Sequence, residues 1–307
     1  MIDLHMHSVY SDGTDTVEEI LKKAEKLKLK YISITDHDNC NSYFEIERMD
    51  VKKYFSGRIV TGIEIKCAYV DKIIEVLGYK FDYNKMKKWT DEFYKDKSRE
   101  RLQQKYFDEL YNNCIKKGFI LKEKSQIEFN PKVQWASVCI FNELKSNAEN
   151  KVKAPQDFFE CFDTFSKKYC ADKKFGLYID KSKDYPRVDQ AVKVIKECGG
   201  LAFAPHVYIY KWVDNMDKHI DTLINQYHLD GLECFHSEFS EENINHLLEV
   251  CNKKKILISG GSDYHGTNKK GIDMAVGKGN LSIDEKYVEN WISSDKEHFM
   301  KKEESIR

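Results

Sequence analysis

In both outer portions of the chain, short apolar runs stop abruptly at a histidine or a carboxylate, with amphipathic segments between them. Tyr31 to Thr35 reads as a strand and is followed at once by Asp36, His37 and Asp38, and Ile59 to Ile63 leads to Glu64. Farther on, Leu201 to Ala204 precedes Pro205 and His206, and Gly231 to Phe235 precedes His236. Ile256 to Ser259 leads through Gly260 and Gly261 to Asp263 and His265. Ile2 to Leu4 and Ile73 to Tyr79 add two further runs of strand character. Thr16 and Glu19 make a candidate capping box for a helix whose apolar stripe is Val17, Ile20, Leu21, Ala24 and Leu27. After Pro186, a good first helical residue, Val188, Ala191, Val192 and Ile195 form a second stripe, which Gly199 and Gly200 end. Strand, crossover and strand in this order predict an α/β fold with a mostly parallel sheet. Its carboxyl edge is where ligands and catalytic groups gather.

The rhythm lapses between residues 81 and 184. Lysine, tyrosine and phenylalanine become frequent, a helical stretch is predicted from about Asn84 to Lys117, and others follow Pro131 and Pro155. We therefore expect residues 1–80 and 185–307 to form the catalytic α/β body and 81–184 a mostly helical insertion.

Fifty basic residues balance 51 acidic ones, for a formal net charge of -1, so no global field attracts nucleic acid, although a local basic patch can still hold an anion. Nine cysteines without a C-x-x-C pair suggest reduced, mostly buried thiols, with a cysteine metal ligand as the minor alternative. No apolar run approaches the roughly 20 residues that span a bilayer, and the first residues lack a secretory pattern. The expectation is a cytoplasmic protein without membrane contact, and no obligate protein partner is inferred.

The chemistry begins at D-L-H-M-H, Asp3 to His7. In an extended segment His5 and His7 project to one side, where neutral imidazoles can share a transition metal. Alone, the pair is a modest signal, and a surface or packing role is the favoured reading. Asp12, His37, Glu64, His206, His236, Asp263 and His265 all fall at or beyond predicted strand ends. Such a set would be costly to bury without cations to compensate it. His219, His228, His246 and His298 fall outside this pattern and read as surface or packing residues.

D-L-H-M-H-S-V-Y-S-D-G (Asp3 to Gly13), I-T-D-H-D (Ile34 to Asp38), G-I-E (Gly62 to Glu64), G-G-L-A-F-A-P-H (Gly199 to His206), G-L-E-C-F-H-S (Gly231 to Ser237) and G-S-D-Y-H-G (Gly261 to Gly266) together resemble the polymerase and histidinol phosphatase (PHP) family. The resemblance implies a distorted seven-stranded (β/α) barrel with a trinuclear metal centre. By similarity, His5, His7, Glu64 and Asp263 hold one metal, Glu64 bridges to a second held by His206 and His236, and Asp12, His37 and His265 hold a third. Where the family often has Ala-His-Pro, this chain has Ala204, Pro205 and His206. The count from Gly199 and Gly200 keeps the histidine in register.

Asp38 is read as orienting a histidine or protonating a leaving group, and His206 as catalytic as well as ligating. Asp36 and Asp3 read either as support for the ligands or as local caps. Manganese, iron and zinc all suit mixed imidazole and carboxylate donors. The expected activity is hydrolysis of a small phosphomonoester, nucleotides included, by a metal-bridging hydroxide. Family members with a helical insertion place an arginine helix and a basic residue near the phosphate, and Arg99, Arg101 and Lys132 are the matching positions. The charge-face reading of these three stands beside that one. Histidinol-phosphate phosphatase, an exonuclease on short oligonucleotides, and a metal-stabilised binding domain without turnover are the alternatives.

Overall fold

The computed structural model describes residues 1–293; His298 lies outside them. Two compact units emerge, Met1–Thr90 together with the chain from Tyr185 onward, and Asp91–Asp184.

Among the described residues of the first unit, eight strands form two sheets. β1 (Ile2–Asp3), β2 (Tyr31–Ile32) and β3 (Arg58–Ile59) pair in parallel, and β4 (Gly62–Tyr69), β5 (Lys72–Tyr79), β6 (Leu201–Ala204), β7 (Gly231–Phe235) and β8 (Leu257–Gly260) lie side by side in that order. The two sheets do not close into the seven-stranded barrel implied by the resemblance. The reason is local: β4 and β5 are joined only by Val70 and Asp71, and so short a loop returns the chain antiparallel instead of crossing it over. β5 is therefore antiparallel to both β4 and β6, and only β6, β7 and β8 keep the parallel order. Between the sheets run isolated bridges, Met6 to Tyr264 and His37 to Glu64. Each bridge lies at a residue of the histidine-carboxylate pattern or next to one.

Helices cover the sheets as the stripes predict. Thr16 and Glu19 form their capping box, and Val17, Ile20, Leu21 and Ala24 are buried on the inner face of the helix Val17–Lys26. Val188, Ala191, Val192 and Ile195 do the same in Val188–Glu197. Gly199, at φ +82°, then lets the chain turn into β6.

The second unit is helical with its own aromatic core. Phe158 packs against Phe119, Phe165, Tyr169 and Phe175 with ring centroids 4.9–5.7 Å apart. The expected long helix is two, Tyr83–Tyr94 and Arg99–Lys116, because the Ser98 side chain caps a fresh start by accepting from Arg101 N–H. Lys132 sits in a turn ahead of the helix Ala136–Ser146 instead of opening a helix. None of the nine cysteines is in a disulfide. Among the described residues, no helix is long and apolar enough to cross a membrane.

Candidate metal centre

The strand-end residues converge in the first unit. His5 and His7, two apart on one extended segment, have ring centroids 5.3 Å apart, and His7 stacks on His265 at 4.1 Å. Glu64 enters from β4: one carboxylate oxygen is 3.3 Å from His5 Nε2 and 2.9 Å from His206 Nε2, and the other is 3.3 Å from His7 Nε2 and 3.2 Å from His37 Nδ1. Asp263 lies 3.4 Å from His7 and 3.3 Å from His236, while Asp12 reaches His265 at 3.2 Å and His37 at 3.6 Å.

Among the described residues, three overlapping groups of donor atoms are close enough to hold a cation: His5, His7 and Glu64; His7, Asp12, His37 and His265; and His37, Glu64 and Glu75. His206, His236 and Asp263 border these groups. His236 Nδ1 accepts a hydrogen bond from Glu238 N–H at 3.1 Å, which directs its Nε2 toward Asp263 as a donor.

The donor set fits divalent cations. His5 Nε2, His7 Nε2, His37 Nδ1, His206 Nδ1 and Asp12 Oδ1 are buried without a hydrogen-bond partner, an expensive state for polar atoms unless an ion completes it. Two imidazoles are held in the ligating tautomer. His5 Nδ1 donates to Glu233 at 2.8 Å and His265 Nδ1 to the Asp263 carbonyl at 2.9 Å, which leaves each Nε2 lone pair free. Lys269 already seats an ammonium on the Asp263 carboxylate.

The titration behaviour shows how strongly these charges depend on one another. Burial pulls the His7 pKa down, but hydrogen bonds and charge from Asp263 and Glu64 prevail and carry it up to about 9. In His5 the charges of Glu233, Glu64 and Asp263 likewise overcome burial. His37 moves the other way, because burial is reinforced by the charges of Lys66 and His7. Glu64 and Asp263 are held well below the carboxylate range, the surrounding histidines outweighing burial.

Glu233 and Glu75, which the sequence reading missed, and Asp36 and Asp3, which it read as support or local caps, surround the donor set. Glu233 is fully buried, and besides holding His5 it accepts from His206 N–H at 2.7 Å. Glu75, midway along β5, approaches His206 at 3.5 Å and His37 at 4.0 Å, and burial together with the Glu64 charge lifts its carboxyl to about 7. Both acids sit inside strands otherwise rich in apolar residues, and that was their signal in the sequence. Asp36 accepts from Ser8 N–H, Ser8 Oγ and Ser11 Oγ at 2.7–2.8 Å, bracing the loop after the H-x-H segment. Asp3 accepts from Ser262 N–H at 2.9 Å, Ser262 Oγ at 2.6 Å and Ala275 N–H at 2.7 Å, which ties β1 to the loop after β8. A Cβ on Gly261 would fall 2.4 Å from His5 N, so only glycine lets that loop come so near.

Three site residues, Asp38 (φ +57°), His206 (+29°) and Asp263 (+56°), occupy the left-handed region, at a cost of about 1–3 kcal/mol each. Asp38 is pinned there, its N–H donating to the Glu64 carbonyl and its Oδ1 accepting from Lys66 N–H, both at 2.9 Å. Arg99, Arg101 and Lys132 lie in the helical unit. The Arg99 guanidinium sits 4.3 Å over the Trp135 ring, Arg101 pairs with Asp96 at 2.8 Å, and Lys132 is 3.8 Å from Glu100. His219 and His246 pack among aromatic rings of the first unit.

An α/β fold with histidines and carboxylates clustered this way defines a metal-dependent hydrolase. Residues 3–161 match the PHP domain, over half of the chain, and the chain belongs to the PHP family as a metal-dependent phosphoesterase. It is 23% identical to the phosphoribosyl 1,2-cyclic phosphate 1,2-diphosphodiesterase of Eggerthella lenta, across 86% of this chain and 94% of the relative. It is 24% identical to the 5'-3' exoribonuclease Rnm of Escherichia coli, across 86% of this chain and 84% of that protein. A solved structure from Bifidobacterium adolescentis, described as a candidate metal-dependent phosphoesterase, shares the fold with a TM-score of 0.64, at 21% identity and 95% coverage of both chains.

Proposed function

We propose that the protein hydrolyses a small phosphorylated ribose compound of the nucleotide class, with a phosphomonoester as the first reading. The observation that carries the metal part is the set of inward-facing, unpartnered imidazole nitrogens grouped around Glu64. The ribose class is supported by the relatives, both named for substrates that contain ribose phosphate esters.

Three divalent cations, of manganese, iron or zinc, are proposed. One would be held by His5, His7, Glu64 and Asp263, one by Glu64, Glu75 and His206 with His236 beside them, and one by Asp12, His37 and His265. When bound, such ions make water a nucleophile near neutral pH and offset the charge of the phosphoryl oxygens. Asp38, fixed on both sides of its backbone, supplies the proton for the departing oxygen. His206, held by Glu233 through its N–H, orients toward Glu64 and Glu75 and helps to place the scissile phosphate. Arg99, Arg101 and Lys132 are retained as proposed contacts to the phosphorylated substrate, since exposed ion pairs of the kind that Arg101 and Lys132 make hold their cations only weakly.

A second reading, release of nucleotides from the 5' end of a short RNA, is favoured by the exoribonuclease relative, which the match covers almost end to end. The test is metal analysis of the purified protein followed by phosphate and nucleotide release from a panel of mononucleotides, bisphosphorylated nucleotides, histidinol phosphate and short oligoribonucleotides. Metal-dependent, chelator-sensitive release from nucleotides is expected. Failure to cleave any member, with metal bound, would refute the reading.

A further inference from the structure

Lys66 lies on β4 two residues beyond Glu64, so its side chain leaves the sheet on the same face, toward the metal centre. Directly across the ladder is Glu75. Opposed residues of an antiparallel pair have their Cβ atoms about 5 Å apart, and an ordinary Lys-Glu cross-strand ion pair is the default outcome. It does not form. Glu75 turns to His206 and His37 instead. Among the described residues, no carboxylate oxygen lies within 4 Å of the Lys66 ammonium. The partly buried Lys66 side chain lies within the electrostatic reach of Glu75, Asp38, Tyr185 and Asp12.

Its main chain is committed elsewhere: Lys66 N–H holds Asp38 Oδ1. The residue thus does two separable things, fixing Asp38 through the backbone and presenting a cation through the side chain. A half-buried ammonium without a direct anionic partner retains unspent hydrogen-bonding capacity, and three rotatable N–H groups on a flexible stem suit the tetrahedral oxygens of a phosphate.

We propose that Lys66 is a substrate-binding residue whose ammonium takes a non-bridging oxygen of the scissile phosphate, placing the ester oxygen beside Asp38. This rests on the phosphoesterase reading above and assigns it a phosphate anchor on the α/β unit itself, apart from the cations of the helical unit.

The experiment uses the manganese-loaded full-length protein and inorganic phosphate as probe, by calorimetric titration and as a competitive inhibitor of turnover. Lys66→Gln keeps the backbone donor to Asp38. It should weaken phosphate binding and raise KM by about tenfold, the usual scale for one charge-assisted hydrogen bond, with metal content unchanged and kcat within about twofold. Lys66→Arg should recover most of the loss. Unchanged phosphate affinity in Lys66→Gln overturns the proposal. So does a parallel fall in bound metal, which would make the ammonium a charge balance for the carboxylates, and so does a wild-type protein that binds no phosphate. Wild-type protein that binds phosphate without cleaving any phosphoester would refute the proposed function alone, while the titration would still decide the role of Lys66.

Discussion

His7 is fully buried between Glu64 and Asp263, and in the protein without metal their charges hold a proton on its ring up to a pH of about 9. A histidine whose folded pKa lies above the unfolded 6.5 stabilises the fold fully below 6.5 and loses that contribution as the pH rises through the folded value. His5 acts with the same sign, and Glu75, a carboxyl raised to about 7, adds to it at the lower edge of the interval. His37, depressed below 6.5, has no further effect above that value. The thermal midpoint of chelator-treated protein should therefore fall between pH 6.5 and 9. Stabilisation by added manganese should grow across the same interval, because less proton is displaced on binding. A metal effect that does not vary with pH would contradict this picture.

At this scale the sequence was informative wherever a polar side chain follows a strand. His5, His7, His37, Glu64 and His265 could be picked out from period and position alone, and they do meet. Glu75 and Glu233 could not, because they interrupt strands instead of ending them, and what distinguishes them is how nearly each is alone among apolar neighbours in a buried run. His236 falls at the expected place, but the hydrogen bond from Glu238 N–H to its Nδ1 is a loop geometry that no spacing reveals.

Among the elements, the β4-β5 hairpin departs furthest from expectation. Val70, at φ +55° and 84% exposed, makes its tight turn. A β-branched residue is poorly suited to that conformation, which costs an L-residue about 1–2 kcal/mol, and neither Gly nor Asn marks the turn in the sequence. The sequence reads strands at Ile59 to Ile63 and Ile73 to Tyr79, but the first of these divides between β3 and the start of β4, and the hairpin turn of Val70 and Asp71 carries only one usual turn residue. Val70→Asn should stabilise the protein by about 1 kcal/mol, read as a higher midpoint in urea with an unchanged slope. An unchanged midpoint would mean that the turn is not strained. Parallel expectation failed here for a physical reason, and the barrel failed with it, since a reversed β5 breaks the uniform strand direction that such a closure uses.

For the molecule as a whole, the composition changes at residue 81, while the structure divides at Asp91 and again at Tyr185 into two units with separate cores. Every member of the three donor groups belongs to the first unit. Calorimetry should consequently resolve two transitions, and a chelator should lower only one of them. If both moved equally, the units would be unfolding as one body.

The ties from Asp3 to Ser262 and Ala275 carry a consequence for biogenesis. During synthesis β1 and the H-x-H segment precede their anchor at Ser262 by 259 residues. The opening histidines wait through more than 250 residues of synthesis before the loop that positions them exists. A nascent chain that stops short of Ser262 therefore lacks the partners that brace β1 beside the opening histidines.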